Sequence, residues 1–147
     1  MKNVTAGGCL PFLKVSVLQC ISLLCVLVLV GCATYDRYQQ EDRFEDITEA
    51  YGNSIRWGKF AVANGIRAKK GGEEEPDFEY LKNIKVTSYE LKAVNVSNDG
   101  NTVQQDVEIK YYKIEQYREK TTIDRQLWKY DAVAEGWFLH SELPDFE

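Results

Sequence analysis

The chain changes its hydrophobic rhythm three times. Residues 15–30 are an uninterrupted uncharged run rich in Leu and Val, broken only by Ser16, Gln19 and Ser22. From Phe44 the apolar positions recur at helical spacing, Phe44, Ile47, Tyr51 and Ile55, with Glu and Arg between them. Gly52 and Asn53 weaken the middle of that pattern, and the stretch Arg56-Trp57-Gly58-Lys59-Phe60 predicts a bend or restart. A second short helix is expected from Phe60 to Ala68, ending at Lys69-Lys70-Gly71-Gly72. Residues 71–77, GGEEEPD, read as a loop. After Tyr80 the period falls towards two. Ile84–Val96 reads as one long strand, with Ile84 and Val86 on one face and Tyr89, Leu91 and Ala93 on the other, a switch that predicts a bulge. Asn98-Asp99-Gly100-Asn101 is a hairpin turn, because Asp-Gly accepts positive φ. Val103, Val107, Ile109 and Tyr111 then alternate with polar residues in a second strand. A third strand follows over about Thr121–Tyr130 and a fourth over Trp137–Ser141, with a turn at Asp131–Gly136 between them and a polar tail after them. Helices followed by hairpin-linked strands predict an α+β domain, its N-terminal helices packed on a curved antiparallel sheet of about four strands.

The first segment has the marks of an export address. Lys2 and Lys14 with no acid precede the apolar run, which is short of the roughly 20 residues that a spanning helix needs, and the chain turns polar directly after Cys32. Leu29-Val30-Gly31-Cys32 resembles the lipobox of bacterial lipoproteins: Leu29, Val30 and Gly31 form the signal-peptidase recognition site and Cys32 is the lipidated residue. The resemblance implies a signal peptide over 1–31, an acylated cysteine and polar tether over 32–43, and a soluble domain over 44–147. Each buried CH₂ of an acyl chain contributes about 0.8 kcal/mol, so more than one chain makes a stable membrane anchor. Ala33 in place of an aspartate after the cysteine favours the outer membrane, with the domain facing the periplasm.

Composition sharpens this reading. Cleavage before Cys32 removes 31 of the 147 residues and leaves 116; it also takes two lysines, moving the net charge from −5 to −7. All four cysteines lie at or before position 32, so the domain has no thiol for disulfides, redox chemistry or metal ligation. There is no basic surplus for nucleic acid. Nine Tyr, three Trp and five of the six Phe remain, which points to a core or a cavity built from large residues.

The order of elements resembles the NTF2-like (cystatin-like) α+β cone, and in particular small proteobacterial lipoproteins of unknown function. The likeness rests on Ser54-Ile55-Arg56-Trp57-Gly58-Lys59-Phe60, Gln126-Leu127-Trp128-Lys129-Tyr130 and Gly136-Trp137-Phe138-Leu139-His140-Ser141 with Leu143-Pro144. These motifs are structural, and such folds host isomerases, dehydratases, ligand binders and interaction modules.

The chemistry on offer is sparse. An isomerase- or hydratase-type reading rests on His140, the single histidine, with a carboxylate from Asp106, Asp124 or Asp131; each of these residues also fits an ordinary strand face or turn. Trp57, Trp128 and Trp137 are candidates for the wall of an apolar ligand pocket, against plain core packing. Glu73-Glu74-Glu75 with Asp77 and the basic Arg67, Lys69 and Lys70 read as solvated charge. No metal site, phosphate loop or cofactor motif is present in the sequence. The expectation is a membrane-anchored, non-catalytic binding or accessory module for an envelope protein or a small apolar ligand, with a purely structural envelope role as the third possibility.

Overall fold

A computed structural model describes residues 37–69 and 71–147. Residues 1–36, which include the expected signal peptide and Leu29-Val30-Gly31-Cys32, and Lys70 lie outside the described residues. Glu41–Glu147 form one compact unit. Helix α1 occupies 37–56, so residues 37–43, expected as tether, are helical. Arg37, Gln39, Gln40, Glu41 and Arg43 are good helix formers on a largely exposed surface, and apolar spacing alone could not place the helix start. Tyr51 and Ile55 are fully buried and Phe44 and Ile47 pack against the same core.

The bend at Trp57-Gly58 is a Schellman stop. The Lys59 amide donates to the Ser54 carbonyl (2.8 Å) and the Gly58 amide to Ile55 (3.1 Å), while Gly58 takes φ +68. That left-handed position is open to glycine without strain. Helix α2 then runs Phe60–Gly65. A one-turn helix α3, Phe78–Leu81, was not expected; the Asp77 side chain caps it by accepting from the Tyr80 amide at 3.0 Å.

The sheet is antiparallel and open, in the order β1-β2-β3-β4: β1 Ile84–Val96, β2 Thr102–Lys113, β3 Lys120–Asp131 and β4 Gly136–Leu139. Helices packed with this four-stranded sheet make the domain α+β. The β1–β2 turn has Gly100 at φ +73, as its Asp-Gly pair predicts. Strand β1 is irregular twice, between Val86 and Ser88 and between Leu91 and Ala93. The first shift corrects the expected face assignment. Tyr89 pairs with Ile109 and Leu91 with Val107, which puts both on the inner face with Ile84 and Val86, and the second shift turns Ala93 outward opposite Asp106.

Two features close the domain. Residues 66–68 lie along the edge of β4, with the Ala68 amide donating to Leu139 (2.8 Å) and the Leu139 amide to Ile66 (3.3 Å). The C-terminal segment, read from sequence as a tail, carries a core residue: Phe146 is buried against Phe60 and Tyr111, with ring centroids 5.5 and 4.9 Å away. Tyr80 donates to the Phe146 carbonyl, and Tyr111 to the Glu147 carbonyl at 2.7 Å.

Candidate functional site

Inward-facing residues of β3 follow the period of two, so Asp124, Gln126 and Trp128 stack along one line beneath α1. They form a polar knot inside the core. The Gln126 amide donates to Asp124 Oδ2 at 2.6 Å and to the Tyr89 hydroxyl at 2.8 Å, while Gln126 Oε1 accepts from Trp128 Nε1 at 3.0 Å. Helix α1 comes close enough at Gly52 that a Cβ there would meet the Tyr89 ring at 2.9 Å. The glycine that weakens the helical pattern is therefore what admits this ring.

Asp124 is 4% exposed and no cation pairs with it among the described residues. Burial pushes its carboxyl up to about 6, opposed by the Gln126 hydrogen bond. Burial likewise raises the Tyr89 and Tyr51 phenols, with Asp124 adding to both shifts. The Tyr51 hydroxyl is fully buried and finds no hydrogen-bond partner among the described residues. This knot can hold a proton near pH 6, but side chains close over it.

The residues singled out from sequence are not gathered in one place. Leu139 is buried opposite Trp128, so His140, the next residue, projects to the other side of the sheet, where its amide donates to the Leu127 carbonyl at 2.7 Å. It borders a shallow surface depression with Phe138, Lys129 and Asp131. The Asp131 carboxylate accepts from the Val133 and Ala134 amides (2.8 and 3.0 Å), which holds it below the usual range and commits it to the turn. Asp106 is on the outer face of β2 in register with Arg125. His140 and Asp124 therefore sit on opposite faces, and the expected histidine–aspartate pair is not assembled in the interior.

The tryptophan pocket is corrected in the same way. Trp128 and Trp137 are core residues, packed on Phe44 with ring centroids 6.1 and 4.7 Å apart, while Trp57 is 74% exposed. The helical stop at Gly58 turns Trp57 out of the buried face, a consequence of backbone geometry rather than of hydrophobicity. No group of three or more His, Cys, Asp or Glu among the described residues is arranged to hold a metal ion.

One concave surface went unread in the sequence. A groove of about 680 Å³ opens between the 73–77 loop and the C-terminal segment. Its floor includes Leu81, Leu143 and Phe146, and its rim includes Glu74, Asp77 and Glu142. Arg67 braces its wall from a nearly buried position. Its Nε donates to the Ser141 carbonyl (2.8 Å), one terminal nitrogen to Asn64 Oδ1 (3.0 Å) and the other to Glu73 (3.3 Å). Glu75 is 3.6 Å from Lys69, so the basic cluster expected on the surface is spent on this loop, apart from Lys70 outside the described residues. The signal available in sequence was the Glu run followed, about seventy residues later, by Glu142-Leu143-Pro144-Asp145-Phe146. Only the chain's return path brings the two together.

No protein-family model, curated protein or solved structure matches the chain.

Proposed function

We propose that the chain is a lipid-anchored protein of the bacterial envelope, acylated at Cys32 after loss of residues 1–31, in the outer membrane with its domain in the periplasm. Its soluble domain, read as an NTF2-like cone, is a non-catalytic binding module for another envelope protein. The observation that carries the binding reading is the groove at the 73–77 loop. Its volume lies within the range of about 300–1,000 Å³ that holds ligands, and it joins an apolar floor to an acidic rim. That chemistry favours a basic, partly apolar segment of a partner, whose cations replace water at the rim while its apolar side chains cover Leu81 and Leu143. The interior supports the non-catalytic reading, because the raised carboxyl of Asp124 is hydrogen-bonded and enclosed and the single histidine is on the other face.

The test is capture of the native, acylated protein from cross-linked membranes, with co-purifying proteins identified by mass spectrometry. A stoichiometric envelope partner is expected, and it should be lost from the Glu74→Lys/Glu142→Lys double variant. Recovery of the same partner by that variant would place the contact elsewhere, and failure of the wild type to retain any partner would overturn the proposal.

A further inference from the structure

Within the unit Glu41–Glu147, the turn of α1 that carries Arg43, the β1–β2 hairpin and the β3–β4 turn all lie at one end. Arg43 donates to the Glu135 carbonyl at 2.8 Å, tying the early turns of α1 to the β3–β4 turn. The Tyr130 amide donates to the Asn101 carbonyl at 3.0 Å, tying that turn to the hairpin. Helix α1 leaves this end partly bare because it crosses the sheet obliquely. Its early part packs Phe44 over Trp128 and Trp137 on β3 and β4. Its later part reaches β1, where Gly52 lies against the Tyr89 ring and Arg56 donates to the Tyr89 carbonyl at 3.4 Å. The far half of β1 is consequently uncovered on its inner face, and Leu91, Val94 and Val96 are 54%, 48% and 55% exposed. Val133, at the crest of the β3–β4 turn, is 97% exposed. The Asp131 caps fix that turn so that Val133 is held outward.

The chain itself says what lies opposite this end. If Cys32 carries acyl chains, the rest of the inference resting on that reading, residues 33–36 are the link between the bilayer and α1. Five Cα–Cα steps from 32 to 37 reach at most roughly 17 Å. A link that short keeps the end from which α1 departs within reach of the membrane surface. We propose that the corner formed by Val94, Val96 and Val133 rests in the interfacial region of the bilayer that holds the anchor, fixing the domain's orientation. The charges around it, Arg43 and Lys129 against Asp99, Asp131 and Glu135, are of mixed sign, so the contact is apolar and indifferent to salt. The groove at the 73–77 loop lies towards the opposite end, where β1 begins, and faces away from the lipid.

Because the domain after residue 32 holds no other cysteine, single-cysteine probes are available in the full-length acylated protein. Val133→Cys, Val96→Cys and, at the far end, Tyr117→Cys, which is at a position 78% exposed, would each be labelled with an environment-sensitive fluorophore. The proteins would be reconstituted into phosphatidylethanolamine–phosphatidylglycerol vesicles containing a lipid with a nitroxide on its acyl chain, with acylation checked separately by an incorporated palmitate analogue. The expected result is a blue shift and lipid-dependent loss of emission at 133 and 96, unchanged by salt, and neither at 117. Equal quenching at all three sites, or at none, with the acyl group present would overturn the orientation while leaving the lipoprotein reading intact. A blue shift at 133 and 96 without quenching by the lipid nitroxide would overturn it in favour of a protein contact. A chain that incorporates no palmitate would remove the lipoprotein reading, and this inference with it.

Discussion

Asp124→Asn should make the protein more stable at neutral pH. Asp124 is buried with a carboxyl shifted from 3.8 to about 6 in the folded chain. Between those values the folded protein holds a proton that the unfolded chain has released. Stability therefore falls as pH rises through about 4 to 6, and the loss is complete above that window. A shift of about two units at 1.36 kcal/mol each amounts to about 3 kcal/mol of destabilisation at pH 7.5. Asparagine has nearly the same shape and keeps an oxygen to accept from the Gln126 amide, which now donates at 2.6 Å. It adds buried N–H groups that need partners, which takes back part of the gain.

The net expectation is about 1–3 kcal/mol at pH 7.5, or roughly 4–10 °C in Tm for a domain of this length. At pH 4, where the native aspartate is itself protonated, the advantage should be gone, and the variant should melt no higher than the native protein. Thermal unfolding of both from pH 4 to 8 measures this directly. The difference between the curves is the quantity to follow, since Glu90, Asp99 and Asp131 are shifted downward and act on the absolute stability with the opposite sign at lower pH. A pH-independent difference, or a wild type that is the more stable at pH 7.5, would refute the reasoning.

Four other outcomes follow, three from packing and one from the proposed acylation of Cys32. Trp137→Ala should lose about 3–5 kcal/mol in chemical denaturation, because Trp137 fills the space between Phe44 and Tyr130, whereas Trp57→Ala should change stability by less than about 0.5 kcal/mol. Phe146→Ala should lose about 3 kcal/mol, as its ring is buried between Phe60 and Tyr111; an unchanged denaturation midpoint would mean that the C-terminal segment is not part of the core. Cys32→Ala should leave the precursor uncleaved and without lipid, read by gel mobility and palmitate incorporation.

The strands were legible because their alternation is local. Ile84–Val96 and the Gly100 turn were placed from pattern alone, and the burial of every second residue from Val103 to Tyr111 follows from the same rhythm. What the pattern could not carry was long-range. Asp124 reads as one polar residue in a strand, and nothing near it in sequence indicates that it faces inward with Gln126 under α1. Trp57 and Trp137 are equally hydrophobic, yet one is exposed and one is buried, because a positive φ at Gly58 ends the helix between Ile55 and Phe60. The groove joins residues about seventy positions apart, and Phe146 reads as tail until its rings are met.

The polar knot around Gln126 also answers a problem posed by β1. A long edge strand with two shifts, whose inner face is uncovered over its far half, has little hydrophobic pattern there to hold its register, since a slip in that half changes few buried contacts. The Tyr89 hydroxyl reaches over β2 to Gln126 on β3, and the ring fits only where α1 has Gly52 in place of a side chain. A slip of one residue would turn Tyr89 away from both, leaving the Gln126 amide buried with one donor unmet, a loss of about 1–3 kcal/mol. Asp124 occupies the other donor of the same amide and so sets which way Gln126 points. Its unfavourable charge and its orienting hydrogen bond are thus two consequences of one placement. Asparagine at 124 tests the first without abolishing the second.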